Sequence, residues 1–396
     1  MVAAVSALKG ASFSPNTTRA KSTRALESAE KGLILREGPE KHTSEAKAIV
    51  DSAEFKPGIN PRPTDRVSFP TSRLAPKENS PDIEPLAVLL LGPTGSGKTA
   101  LSLALGEQFG GEIISCDSVA VYRGMDLGTA KPTAEEQARL PHHLIDVADP
   151  DEPFTAGAYS RAARATLREI AGRGRLPIVT GGTGLYLCAL TEGLFAGPER
   201  QAGLRTRLEK SRQRQAEGWL HRLLARLDPV SATRIHANDT PKLIRAIEVC
   251  LAGRKPMSEV MARDPLTGFR LLRIGLNPPR HELYDRLNRR AEAMFAAGLV
   301  QETRRLLDRY GPVKALDSLG YRQALAVLAG SLTIEDAIKA AQQGHRNYAK
   351  RQLTWFRREP DVHWLTAFGD QPEALLIAVH LIQEHLHLHS GMQSPP

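Results

Sequence analysis

The chain has 396 residues, of which 41% are hydrophobic and 24% charged, and its formal net charge is +9. That size allows a sizeable core in one large domain or two moderate ones, and no apolar run reaches the roughly eighteen residues that a membrane-spanning helix needs. The cysteines Cys116, Cys188 and Cys250 form no C-x-x-C pair, so neither a zinc knuckle nor a disulfide framework is implied, and a reducing, cytoplasmic setting fits.

Residues 1–84 are rich in Ser, Thr, Ala, Pro and Lys and carry no sustained apolar period. They read as a disordered extension. Basic and small residues without acids at the very start resemble a transit peptide, but acids are frequent from Glu27 onward. Acids nearly balance bases there, so most of the positive charge lies beyond it. An excess of that kind favours a polyanionic partner without requiring one.

Order is expected from Pro85. The apolar run 86–91 predicts a strand, followed by a glycine-rich turn and a helix over 98–109. Residues 112–115 predict a second strand. A loop is expected to about Phe154, then a helix over 156–173 and a third strand over 176–180. Strand, helix, strand, helix, strand argues for a parallel sheet with helices on both faces. This part of the core spans residues 85–197. Residues 198–268 form an all-helical insertion, with helices over 201–216, 219–227, 229–235 and 241–252. A strand over 270–276 then returns to the sheet. Helices follow over 280–298, 299–309, 317–329 and 333–353, completing a second part of the core over 269–370. A terminal helix and tail occupy 371–396.

The most specific local signal is Gly92-Pro93-Thr94-Gly95-Ser96-Gly97-Lys98-Thr99, a full match to G-x-x-x-x-G-K-[ST] between an apolar strand and a helix. Glycines permit the backbone angles that turn successive N–H groups toward an anion, and the helix N-terminus adds positive potential. Lys98 would hold terminal phosphate oxygens and the Thr99 hydroxyl would ligate Mg²⁺. The loop predicts a diphosphate or triphosphate and says nothing of what is transferred. A nucleotide hydrolase should also end a strand in a magnesium-holding acid. The third strand ends Val179-Thr180-Gly181-Gly182-Thr183 without one, and Asp146 is a possible substitute. No guanine-reading N-K-x-D segment occurs, so the phosphates can belong to a leaving group.

The second strand ends Ser115-Cys116-Asp117-Ser118. Ligands in doubly wound sheets sit beyond the carboxyl ends of the strands. Asp117 would therefore face the phosphate loop if the two strands are neighbours, and it could take a proton from an attacking group. Asp-Ser is equally at home as a turn or helix cap, and spacing alone does not separate the two readings.

The stretch from Ile114 through Asp117-Ser118-Val119-Ala120-Val121-Tyr122-Arg123 to Gly128-Thr129-Ala130-Lys131-Pro132 resembles the signature of bacterial tRNA dimethylallyltransferases, the IPP transferase family. So do Pro141-His142-His143-Leu144-Ile145-Asp146, Gly181-Gly182-Thr183-Gly184-Leu185-Tyr186, Gly320-Tyr321-Arg322 and Ala349-Lys350-Arg351-Gln352-Leu353-Thr354-Trp355. The motifs occur in the family's order and cover about 86–365. The extension over 1–84 has no counterpart in the usual bacterial form, and the zinc finger of eukaryotic members is absent.

The resemblance implies a P-loop NTPase-like α/β fold and transfer of a dimethylallyl group from dimethylallyl diphosphate to N6 of adenosine at tRNA position 37. It implies Mg²⁺, a cytoplasmic monomer, and catalytic roles for Asp117, Lys98, Thr99 and Thr183. It also implies tRNA contacts by Asp117, Ser118, Val119, Ala120, Thr183 and Arg205, by Pro241, Lys242, Leu243, Ile244 and Arg245, and by Asp317, Ser318, Leu319, Gly320, Tyr321 and Arg322 in the anticodon stem-loop complex. The adenine must be flipped from its stack to reach an enclosed site.

Other features carry two readings each. Arg200, Arg205, Arg207, Lys210, Arg212 and Arg214 suit RNA phosphates or a solvated helix face. Arg280 and Arg286 suit a phosphate or an ordinary surface. Tyr348, Trp355 and Phe356, interleaved with basic residues, suit base stacking or core packing. His380, His385, His387 and His389 read as an exposed helix end or an adventitious metal site. Three rival functions are a P-loop kinase, which would turn over ATP, an adenylate isopentenyltransferase, which would prenylate free AMP, and a non-catalytic RNA-binding module with a relic loop.

Overall fold

The computed structural model describes residues 84–195, 197–260 and 263–387. The extension before Glu84, with its disorder and transit-peptide readings, lies outside these residues, as do His389 and the end of the tail. The chain divides into two compact units; within the described residues one is Phe195–Arg263 and the other contains the sheet.

The sheet-bearing unit is built on β1 (Leu86–Leu91), β2 (Glu112–Ser115), β3 (His142–His143), β4 (Pro177–Thr180), β5 (Arg270–Leu276) and β6 (Val362–Leu365). Their order is β3-β2-β4-β1-β5-β6 and every pairing is parallel. All of β1 is buried, as expected of a strand covered on both faces. Its side chains alternate between two cores. Ala87, Leu89 and Leu91 pack with Ile114, Val179, Tyr159, Leu167 and Leu187. Leu86, Val88 and Leu90 pack with Leu101, Leu105, Ile178, Leu272 and Ile274. Each fully buried leucine contributes roughly 2 kcal/mol of transfer free energy.

Helix α1 (Lys98–Phe109) leaves the glycine-rich turn, and α2 (Ala134–Arg139) precedes β3. The first core is covered by α3 (Ala156–Gly172) and α4 (Gly184–Thr191). The Thr155 hydroxyl caps α3 by accepting the Ala158 N–H at 3.1 Å, the usual remedy for unpaired first-turn amides.

The helical unit contains α5 (Ala202–Arg214), α6 (Trp219–Leu227), α7 (Pro229–Arg234), α8 (Thr240–Gly253) and α9 (Met257–Val260). Leu204, Leu208, Leu220, Leu224, Leu243, Ile244 and Ile247 form its core. Asp228 caps α7 from within that core, accepting the Ser231 N–H at 3.0 Å and the Ser258 N–H at 2.8 Å.

After β5 come α10 (Arg280–Ala296), α11 (Leu299–Tyr310), a 3-10 turn (Lys314–Asp317), α12 (Tyr321–Leu328) and α13 (Ile334–Phe356). They share a third core through Met125, Ala291, Leu299, Tyr321, Ala337 and Ala341. Helix α14 (Pro372–His387) follows β6 and packs Ala374, Ala378 and Ile382 into the second core.

Four expectations change. The loop before Phe154 holds α2 and β3. The short strand β6 escapes the sequence pattern because two of its four residues, His363 and Trp364, are exposed. The helix expected over 317–329 begins only at Tyr321, after a 3-10 turn. Residues Asp264 to Gly268, expected in the insertion, group with the sheet-bearing unit, where the Leu266 N–H donates to Thr191 O at 2.8 Å.

Candidate active site

The adjacency of β1 and β2 that would bring Asp117 to the loop is not met, because β4 lies between them. The carboxyl ends of all three still open on one cavity of about 490 Å³. Its lining includes Thr94, Gly95, Gly97, Lys98 and Thr99 from the loop, Asp117 after β2, and Thr180 to Gly182 after β4. Arg286 and Arg290 from α10, with Tyr348 and Gln352 from α13, complete that wall.

The loop is a tight fit. A side chain on Gly92 would stand 2.9 Å from Leu276 O, and the residue has φ +148°. Gly97 has φ +87° and faces Gly369 N at 2.7 Å from a built Cβ. Only glycine suits either place. Pro93 and Ser96 are buried. Helix α1 starts at Lys98, so first-turn amides such as those of Lys98 and Thr99 have no partner within the helix. Amides so placed at a helix N-terminus are suited to an anion.

The Thr94 N–H is held by the buried Gln352 side chain, whose Oε1 accepts it at 2.8 Å and whose Nε2 donates to Gly182 O at 2.8 Å. Arg290 donates from Nη1 to Thr94 Oγ1 at 3.0 Å and from Nη2 to Thr129 O at 3.3 Å. Lys98 Nζ donates to Gly92 O at 2.9 Å and Pro93 O at 2.8 Å. Burial, then the nearby Arg290 charge, pushes the Lys98 ammonium down to about 7, with Asp117 opposing. Burial also lowers Arg290 from its ordinary range. A nearby anion would favour the charged forms of both side chains.

The cap reading of Asp117 is seen directly, and the residue also lines the cavity. Its Oδ1 accepts the Val119 N–H at 2.8 Å and the Ala120 N–H at 3.1 Å, which is a local cap. Among the described residues no donor is hydrogen-bonded to Oδ2. Gly181 abuts the Cys116 carbonyl so closely that a side chain there would overlap it. Thr183 braces the same turn: its N–H donates to Cys116 O at 3.1 Å, and its Oγ1 accepts the Ser118 N–H at 3.0 Å. Burial raises the neighbouring Cys116 thiol to about 12, so it is no thiolate nucleophile at neutral pH.

The Thr129 to Pro132 stretch forms another wall. Lys131 buries its stem and donates from Nζ to Tyr122 O at 2.6 Å, Asp126 Oδ1 at 2.8 Å and Asp146 Oδ1 at 2.5 Å. Asp146, considered as a metal-holding acid, is therefore engaged by Lys131 and lines an adjoining cavity rather than that of the loop.

Several expected RNA contacts have other surroundings. Tyr321 is fully buried, and its hydroxyl donates to the buried carboxylate of Glu302 at 2.6 Å. Leu243 and Ile244 are core residues of the helical unit. Arg205 and Arg245 both donate to Glu248 Oε2, at 3.1 and 2.9 Å, and that carboxylate is completely buried. Pro241, Lys242, Asp317 and Arg322 are exposed, Ser318 and Leu319 half-buried, and Gly320 buried at the start of α12. Arg280 donates to the Tyr284 hydroxyl at 2.8 Å and is absent from the cavity, whereas Arg286 lines it. Tyr348 faces the cavity, Phe356 is core, and Trp355 lies over Gly184 with 40% exposure. His380 pairs with Glu384 at 3.3 Å, and the described residues contain no group of three metal-ligating side chains.

Gln352, Arg290 and Thr129 are the site residues that sequence reasoning missed. The available signal was helical spacing: Arg290 falls four positions after Arg286, on one face of α10.

Comparisons with known proteins converge on one family. The model described as IPP transferase matches residues 120–359, and that described as isopentenyl transferase matches 86–148. A tRNA dimethylallyltransferase of Koribacter versatilis is 63% identical over 76% of this chain and 99% of its own length. One of Solibacter usitatus is 52% identical over 76% and 98%. The crystal structure of a full-length tRNA isopentenylpyrophosphate transferase from Bacillus halodurans superimposes with a TM-score of 0.57 at 37% identity, covering 78% of this chain and 100% of that one. A eukaryotic dimethylallyltransferase acting on tRNA gives 0.65 at 25% identity, covering 77% and 80%. No helix among the described residues is long and apolar enough to cross a membrane.

Proposed function

The chain belongs to the IPP transferase family of tRNA dimethylallyltransferases, which are prenyl-transferring enzymes, and from that premise we propose that it joins the dimethylallyl group of dimethylallyl diphosphate to N6 of adenosine 37 in the tRNA anticodon stem-loop. The new bond forms between N6 and the allylic C1, the C1–O bond breaks, diphosphate leaves, and one N6 proton passes to Asp117. The observation that carries this reading is the shared cavity: the phosphate loop, Lys98, Arg286, Arg290 and the Asp117 carboxylate all line it.

The loop, Lys98, Arg286 and Arg290 line the cavity where the leaving diphosphate would gain charge, and donors placed around developing charge lower such barriers most. Lys98 regains full charge when an anion arrives. Asp117, held through Oδ1, offers Oδ2 to the exocyclic amine, a poor nucleophile whose lone pair is delocalised into the ring. Orientation and proton removal together raise its reactivity. Thr183 fixes the turn that carries Asp117. Tyr348 closes the wall beside them.

The donor set suits a magnesium ion. The Thr99 hydroxyl, which lines the cavity beside the loop, would be its hard-oxygen ligand. Bound there, the ion would neutralise charge on the leaving diphosphate. We assign the reaction to a reducing, cytoplasmic setting, in keeping with the free, buried thiols of Cys116 and Cys250.

Nucleoside mass spectrometry tests the assignment. Unmodified tRNA, free AMP and ATP are each incubated with the protein, Mg²⁺ and dimethylallyl diphosphate. Isopentenyladenosine from tRNA alone is expected. Product from AMP, or phosphate release from ATP without prenylation, would overturn it.

A further inference from the structure

The segment between β6 and α14 is fastened to the phosphate loop. The Gly369 N–H donates to Ser96 O at 2.9 Å. Gly97 and Gly369 lie so close that a side chain on either would strike the other's backbone. Phe368 is fully buried against Leu283, Leu287 and Ala349. The segment thus has one fixed register relative to the loop.

The residues on either side of Gly369 both contact Arg286. The Phe368 ring carries the Arg286 guanidinium 3.6 Å from its centroid, a close cation–π contact. Asp370 accepts from Arg286 Nη1 through Oδ1 and Oδ2, each at 2.9 Å. Arg286 is one of the cations lining the cavity. The Arg286 and Asp370 side chains are 34% and 44% exposed. An ion pair that open to water adds little to fold stability, so its effect is on where the guanidinium stands.

We propose that Asp370 is a positioning residue, which holds the Arg286 guanidinium in register with the phosphate loop to receive the leaving diphosphate. The proposal rests on the reading of the cavity as a diphosphate site. Phe368 sets the height of the guanidinium and Asp370 its direction. An arginine held in place before the ligand arrives loses less rotamer freedom on binding, which raises affinity without a new contact. The opposite role is physically clear as well: a carboxylate that competes with diphosphate for Arg286 would weaken binding.

Calorimetric titration of the full-length protein with inorganic diphosphate in magnesium buffer separates these roles. The proteins compared are wild type, Asp370→Ala, Asp370→Glu, Arg286→Ala and the double variant Arg286→Ala/Asp370→Ala. Positioning predicts a Kd about tenfold weaker for Asp370→Ala, partial recovery in Asp370→Glu, and a double variant no weaker than Arg286→Ala alone. The thermal midpoint of Asp370→Ala should match wild type. Unchanged or tighter binding by Asp370→Ala overturns the proposal, as does a full second loss in the double variant. The same proteins are assayed with dimethylallyl diphosphate and tRNA. If wild type binds diphosphate, Asp370→Ala weakens it, and no prenyl product forms, then the donor assignment fails while the role of Asp370 stands.

Discussion

The Gln352 side-chain carbonyl accepts the Thr94 backbone N–H at 2.8 Å across a sequence separation of 258 positions. Its amide reaches on to Gly182 O, so one buried residue of α13 ties the phosphate loop to the turn that supports Asp117. Gln352→Ala leaves a half-buried N–H and a buried carbonyl without their side-chain partner. A loss of roughly 1–3 kcal/mol is expected, read by urea unfolding, together with a raised KM for dimethylallyl diphosphate. Unaltered stability and KM would show that the tie is dispensable.

Lys98 makes the site sensitive to pH. With its ammonium brought down to about 7 by burial and Arg290, it is half-protonated near neutrality in the free protein. A bound diphosphate favours the charged form and raises that pKa. Protons are therefore taken up on binding at pH values from about 7 to the raised pKa, and affinity falls as pH rises through that window. Calorimetry in buffers of different ionisation enthalpy measures the uptake directly. Binding without proton uptake at pH 8 would mean that Lys98 is not part of the diphosphate contact.

The helical unit offers a different test. Arg205 and Arg245 share the buried Glu248 carboxylate, which also accepts the Gln201 N–H at 2.7 Å. Replacing both arginines by alanine strands that charge and should destabilise the unit by about 3 kcal/mol or more, seen as a lowered unfolding midpoint. The prediction distinguishes these two arginines from exposed cations such as Lys242, where Lys242→Ala should alter the salt dependence of tRNA binding and leave the midpoint in place. A double alanine variant with wild-type stability would release Arg205 and Arg245 from this structural role.

What the sequence conveyed follows from the range of the interactions. The phosphate loop is contiguous, its glycines are demanded by local backbone angles, and flanking strand and helix patterns frame it. Strand β1 was legible because a strand covered on both faces is apolar throughout. Asp117 was legible as an acid at the end of a strand, yet its cap and its open oxygen coexist, which spacing could not reveal. The insertion of β4 between β1 and β2 is a property of topology. Gln352, Arg290 and the Phe368–Asp370 clasp gain meaning only through partners scores or hundreds of positions away. Tyr321, Leu243 and Ile244 sit in motifs resembling RNA contacts, but their side chains are spent on packing.

The proposed reaction depends on Asp117 taking the N6 proton in a cavity where the phosphate loop holds the leaving group. Single-turnover prenylation by Asp117→Ala, with tRNA and dimethylallyl diphosphate saturating, tests it most directly when tRNA affinity is measured on the same protein. The chemical step should be slower by about 10²-fold or more, with tRNA affinity close to wild type. A near-normal rate would contradict it and remove Asp117 from the proton transfer.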